Sequence, residues 1–160
     1  MDSKTPDESA TDMTQLMGPQ DANIAGNVHG GVIMRLVDTA AGAAAMRHVQ
    51  GRVVTAHVDS LSFRAPVHVG DLLTISAVIT QVWRTSMEVE VTVRRENPIT
   101  GEGNLTTSAH LTLVGVDENE RPMPIPPLNP VTEEAQARQA AAEKRRQARL
   151  RLQREMPEIA

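Results

Sequence analysis

The chain has 160 residues, no cysteine, a formal charge of −4 and a pI near 5.7. That length supports one domain with a real core. The absent thiols exclude disulfides and thiolate zinc sites, and the acidic balance gives no reason to expect a nucleic-acid partner. Phe63 and Trp83 are the only aromatic residues, so packing must rest on Val, Leu, Ile, Met and Ala.

Residues 1–13 are polar and acidic, too poor in apolar groups to offset their ordering entropy, and are expected to be a mobile tail. They lack an apolar core after a basic start, so no secretory signal is expected and the cytoplasm is the default location. Thr14 to Met17 reads as a short edge strand ended by Gly18-Pro19. A loop over 21–28 leads to a helix of about 31–48, apolar almost all round and interrupted by Arg35 and Asp38. The helix is too short and too interrupted to span a membrane, so it is expected to be buried in the core, with no membrane as partner.

Four runs with strand character follow: Val53 to Phe63, Leu72 to Trp83, the stretch around Met87 to Arg94, and Leu105 to Val116. In the third, Met87, Val89, Val91 and Val93 alternate with polar residues, the signature of a half-buried strand. In the fourth, Leu105, Thr107, Ala109, Leu111 and Leu113 share a face. Asn97-Pro98-Ile99-Thr100-Gly101 is a hairpin loop. Short turns imply an antiparallel meander, and one long helix followed by four strands implies an α+β domain with the sheet wrapped on the helix. The domain is expected over 14–128.

Residues 129–160 complete a proline-led arm and a charged helix. Thr132 is a suitable N-cap, Glu133 and Glu134 suit the first turn, and Arg145, Arg146, Arg149, Arg151 and Arg154 suit the last turns. With little but alanine to bury, and with Glu133, Glu134, Glu143, Glu155 and Glu158 diluting its positive charge, this helix is expected to be solvated. It would project or lie on a neighbouring subunit.

The chemistry gathers at the start of the first helix. Gly30 and Gly31 expose backbone N–H groups at a helix N-terminus, where a carbonyl oxygen gaining negative charge is stabilised. Asn27 and His29 precede them and can hydrogen-bond to a water or ligand. Asp38 loses hydration in an apolar helix, so it needs a partner or a task as general base or nucleophile. It lies eight residues beyond Gly30, roughly 12 Å along the axis. One chain therefore cannot bring both onto one atom: either the two are unrelated, or two antiparallel copies related by a two-fold form two shared sites.

The segments Asn-Val-His-Gly-Gly-Val-Ile-Met-Arg-Leu-Val-Asp at 27–38, Val-Val-Thr-Ala-His-Val-Asp-Ser-Leu-Ser-Phe at 53–63, Pro66-Val67, Val69-Gly70-Asp71, Arg84-Thr85-Ser86-Met87-Glu88-Val89 and Pro122-Met123-Pro124-Ile125-Pro126 recur in one order in a known family. On these the chain resembles the hotdog-fold acyl-CoA thioesterases, and within them the YciA and cytosolic brain-type acyl-CoA hydrolase group, over about residues 14–128. The resemblance implies an antiparallel sheet wrapped on one helix, a homodimer and often a trimer of dimers making a hexamer. It also implies hydrolysis of acyl-CoA to a free acid and CoA. Asp38 would be the catalytic carboxylate, Asn27 would place water or substrate, and the Gly30 and Gly31 amides would polarise the thioester carbonyl.

Arg84, Thr85 and Ser86, in a turn between strands, and Arg64 are candidates to hold the CoA phosphates or adenosine. Thr55 to Asp59, His57 included, would flank the pantetheine arm. Trp83 is assigned to packing. No cofactor is implied, CoA being part of the substrate, and no paired histidine spacing suggests a metal. The competing reading is a non-catalytic acyl-CoA-binding or sensing protein. A hydratase is disfavoured, because His29 and Asp38 stand too far apart along the helix to act as a pair.

Overall fold

A computed structural model describes residues 1–156, so Glu158 of the expected terminal helix lies outside the described residues. In chain order the elements are β1 (Thr11–Leu16), α1 (Gly30–Val49), β2 (Arg52–Phe63), β3 (Leu72–Val82), β4 (Ser86–Glu96), β5 (Gly103–Val116) and α2 (Glu133–Glu155). The five strands form one antiparallel sheet in the order β1-β3-β4-β5-β2. Only β3, β4 and β5 form a meander. Contrary to expectation, β2 crosses to the far edge and pairs with β5. The crossing segment, residues 64–71, passes the N-terminal end of α1, where the Val28 N–H donates to Val67 O (2.8 Å).

Both ends of α1 are capped. The His29 ring accepts the Gly31 N–H, and Gln50, in the left-handed region at φ 53°, donates its N–H to Met46 O. Ile33, Leu36, Val37, Ala40, Ala41, Ala44 and Ala45 bury one face, and the four alanines let the sheet approach closely. The opposite face, with Arg35, Asp38 and Thr39 exposed and Met34 and Met46 each 50% exposed, is uncovered. The helix is thus not buried all round in a single chain, because one sheet can cover only one stripe of a cylinder.

On β4 the alternation holds, with Met87, Val89, Val91 and Val93 at 0% exposure against the helix side. Glu88, on the other face, is equally buried, because α2 lies there. The terminal helix therefore does not project; it lies on its own sheet with only Ala142 buried and its outer side exposed, as a solvated helix would be. It covers the outer face of its own sheet through polar contacts: Arg145 to Glu88 (2.7 and 3.0 Å), Arg149 to Asp59 (2.5 and 2.6 Å), Arg138 to Glu90 (3.4 Å), and the Trp83 indole N–H to Glu143 (3.0 Å). Arg146 stacks over the Trp83 ring, 4.6 Å from its centroid. Alanine content misled because the glue is charge and not apolar area. No helix among the described residues is long and apolar enough to cross a membrane.

Residues 1–13 depart from expectation as well. Pro6–Glu8 form a 3-10 turn, Pro6 and Ser9 are buried, and β1 begins at Thr11. Lys4 bridges to Leu128, and its ammonium donates to His48 O (2.8 Å) and Arg47 O (3.2 Å), satisfying the last carbonyls of α1. The segment is ordered by main-chain pairing and one cation at a helix C-terminus, for which a hydrophobicity argument has no signal.

His48 is fully buried. Its Nε2–H donates to Pro126 O (2.8 Å), and Nδ1 has no partner among the described residues. Burial pushes the imidazole below its ordinary range, opposed by the bond to Pro126. The unfolded chain then binds a proton that the folded chain refuses, so stability falls as pH drops below about 6.5 and is fully present above it. A urea midpoint measured at pH 7.5 and again at pH 5.5 should decline, and His48→Gln, which keeps the donor, should lessen that decline. An undiminished slope in the variant would assign the pH dependence elsewhere.

Candidate active site

The loop before α1 is closed by Asn23. Its Oδ1 accepts the N–H groups of Ala25 (2.9 Å) and Asn27 (3.2 Å), while its own N–H donates to Asn27 O (2.7 Å). Gly26, at φ 85°, makes the turn between them. Because Oδ1 is held by two backbone donors, the orientation of the amide is settled and Nδ2 remains as a donor for a ligand. Loop, helix start and crossing segment enclose a cavity of about 380 Å³ lined by Asn23, Asn27, Gly30, Ile33, Phe63 and Arg64, among others.

Not every expected residue meets there. The Gly31 amide is committed to His29 Nδ1 (2.9 Å), so His29 serves as the helix cap. The Gly30 amide, first in the helix, has no acceptor among the described residues. Arg64 reaches the cavity, its guanidinium donating to Ser108 Oγ (3.2 Å). Asp38 stands two turns further on, exposed, and accepts the Thr55 hydroxyl hydrogen at 2.7 Å.

Arg84 and Thr85 lie in the turn between β3 and β4 and Ser86 opens β4; there Gly115 N–H donates to Thr85 O and Ile125 N–H to Arg84 O. Gly115 pairs with Val53 at the start of β2, whereas Phe63 at the cavity ends that strand, so this turn lies a strand's length away. His57 lies on the sheet face under α2, its Nε2 3.6 Å from Asp59 Oδ1, in a second cavity of about 590 Å³. Within one chain neither group joins the cavity at the helix start.

Asn23 was not singled out from sequence, and Thr55 only as the first residue of the stretch expected to flank the pantetheine arm, not as a partner of Asp38. Asn23 carries the ordinary signal of an asparagine turn with glycine three residues on, and adjacency to the glycine pair drew attention to Asn27 instead. Thr55 carries no local signal, since its value depends on β2 crossing beside the middle of α1.

Over residues 25–102 the chain matches the family model of the thioesterase superfamily. An uncharacterized acyl-CoA thioester hydrolase of Zymomonas mobilis is 42% identical over 111 residues, covering 69% of this chain and 74% of that protein. The chain belongs to the acyl-CoA thioester hydrolases. The cytosolic acyl coenzyme A thioester hydrolase of Mus musculus is 37% identical over 132 residues, or 81% of this chain. This chain spans only 35% of that relative's length. An apo-hexameric acyl-CoA thioesterase superposes with a TM-score of 0.93 at 38% identity, covering 99% of this chain and 100% of that one. The fold is therefore the hotdog fold, with a further helix on the outer face of the sheet. The acyl-CoA hydrolase of Staphylococcus aureus, solved with butyryl coenzyme A, coenzyme A and coenzyme A disulfide, gives a TM-score of 0.88 at 29% identity, covering 96% of this chain and 93% of that one. Three further structures of that hydrolase carry alanine in place of an asparagine, an aspartate 15 residues later and a threonine 17 residues after that.

Proposed function

We propose that this chain hydrolyses acyl-CoA thioesters to the free acid and CoA, with Asp38 as the catalytic carboxylate. The observation that carries the reading is the Thr55–Asp38 hydrogen bond, together with Asn23 at the cavity. Asn23, Asp38 and Thr55 are spaced by 15 and 17 residues, the intervals of the three residues replaced in the Staphylococcus aureus hydrolase. This supports Asn23, in place of Asn27, as the residue that places water or substrate. Its Nδ2 and the Gly30 N–H are suited to the oxygen of a thioester carbonyl as it gains charge. Asp38 either takes a proton from water or attacks the carbonyl itself, and the CoA thiolate departs. No cofactor enters, because CoA is part of the substrate.

The site is shared between two copies in this reading. The outer edge of β2 has no strand beside it among the described residues, and Val54, Val58 and Phe63 are 45–51% exposed on it. A long apolar edge is a template for another strand. Pairing β2 with a partner's β2 about a two-fold would continue the sheet and bring the uncovered faces of two α1 helices together. Three such dimers would make a hexamer of the kind named for the apo thioesterase. A cytoplasmic setting is supported by the word cytosolic in the names of the mouse, rat and human relatives.

Asn23→Asp tests the assignment cleanly, since it keeps the Oδ1 that closes the loop and loses the donor. In a thiol-release assay over a panel of acyl-CoA chain lengths, kcat should fall about 10²-fold with an unchanged melting temperature. Asn27→Asp with the larger loss would return the role to Asn27, and release that is absent from the unaltered protein across the panel would overturn the function.

A further inference from the structure

We propose that Ser60, His110 and Glu90 form a second hydrolytic centre, on the face of the sheet away from Asp38, acting on small uncharged carboxylic esters. His110 on β5 is in register with Ser60 on β2 and with Glu90 on β4, so the three side chains lie in one row across three strands. Ser60 Oγ is 3.4 Å from His110 Nδ1, and His110 Nε2 is 3.2 Å from Glu90 Oε2. Nucleophile, base and orienting carboxylate in that order are the parts of nucleophilic catalysis, and the first distance is commonly loose without substrate.

Three further observations fit. The β-bulge between Val58 and Ser60 re-aims this end of the strand, a device frequent beside active sites. Ser60 is exposed, while His110 and Glu90 are 17% and 22% exposed, so the nucleophile is open and its support is sheltered. Arg138 Nε stands 3.4 Å from Glu90 Oε1, and the bond from His110, ahead of the Arg138 charge, holds that carboxyl below its usual range against burial. A carboxylate that stays ionised fixes the tautomer with hydrogen on Nε2 and leaves Nδ1 to accept the serine proton.

Ser60 opens onto the cavity of about 590 Å³, which Ala148, Leu152 and Met156 line with apolar surface. Arg149 lines it too, with one amino group committed to Asp59 and the rest of its guanidinium available to a developing oxyanion. That lining takes a short acyl group with no charge of its own. Ser60 Oγ would bond to the ester carbon as its proton passes to His110 Nδ1. The carbon–oxygen bond to the leaving alcohol then breaks, and the alcohol departs with that proton. Water repeats the cycle, releasing the carboxylic acid and restoring the hydroxyl.

The test is labelling of the full chain by diisopropyl fluorophosphate, read by intact mass and peptide mapping, with p-nitrophenyl butyrate turnover alongside. One adduct per chain on Ser60 is expected, with ester turnover lost in Ser60→Ala. Labelling should be slowed about 10²-fold in His110→Ala. If that variant does not fold, the same slowing is required of Glu90→Gln. An unmodified Ser60, or labelling indifferent to His110 and Glu90, overturns the proposal. Thioester hydrolysis by Ser60→Ala should be unchanged, and its loss would place Ser60 in the other site. Labelling retained in Asp38→Asn keeps this centre separate from the thioesterase reading, so either can fail alone.

Discussion

Asp38→Asn should lower kcat for acyl-CoA hydrolysis by about 10³-fold while leaving the melting temperature near that of the parent protein. The expectation follows from position. Asp38 is exposed on the uncovered face of α1, so an amide of the same shape disturbs no packing, yet it can neither take a proton from water nor attack a carbonyl. Its anchor, the Thr55 hydroxyl at 2.7 Å, can also donate to an amide oxygen, so the side chain should stay in place. Loss of rate without loss of fold separates a chemical role from a structural one. Mixing Asp38→Asn chains with Asn23→Asp chains then addresses sharing between copies. If each site takes Asp38 from one protomer and Asn23 from the other, a mixed dimer rebuilds one site free of both substitutions. Activity should recover toward half the parent value per mixed dimer. Recovery absent from verified heterodimers would mean that each chain carries its own site, against the roughly 12 Å separation along the helix.

The second large effect is on stability. Arg145→Met should strand the carboxylate of Glu88, which is fully buried and held by Arg145 at 2.7 and 3.0 Å and by the Thr80 hydroxyl at 2.7 Å. The pairing raises the Arg145 guanidinium above its ordinary range, chiefly through the hydrogen bonds to Glu88. Removing one partner of a buried pair costs about 3–5 kcal/mol, most of it the price of an uncompensated charge. For a chain of this size that lowers the melting temperature by roughly 6–20 °C at fixed protein concentration. The companion double change, Arg145→Met with Glu88→Met, should recover most of the loss, since two apolar groups of similar volume leave nothing buried and unpaired. A double variant as unstable as the single one would show that the interface depends on the charges themselves.

These cases also mark what the linear chain discloses. The strands were legible because Met87, Val89, Val91 and Val93 alternate against the core, a period that only a sheet explains. Their order was not, because nothing in Arg52 to Phe63 says whether it pairs with β3 or travels to β5. The helix was legible at both ends, and its exposed face was hidden because Met34 and Met46 look like core residues until the number of covering layers is known. Asp38 stood out as an anomaly of environment. Asn23 and Thr55 did not, since one does its work by closing a loop and the other by lying across from the helix. The attachment of α2 was invisible for a related reason: Arg145, Arg149 and Arg138 each find an acid some 50 to 90 residues earlier, beyond any local pattern.

The polar attachment of α2 has a thermal corollary. Ordinary apolar layers gain little further strength per unit area as temperature rises, whereas the cost of stripping water from ions declines. Arg149 and Asp59 are 11% and 9% exposed, and Glu88 is fully shielded, so added salt has small purchase on them. On heating, the outer cover should therefore hold its place relative to the sheet better than an alanine-rich helix would suggest. Amide exchange along α2 should rise only shallowly with temperature, and it should respond weakly to ionic strength.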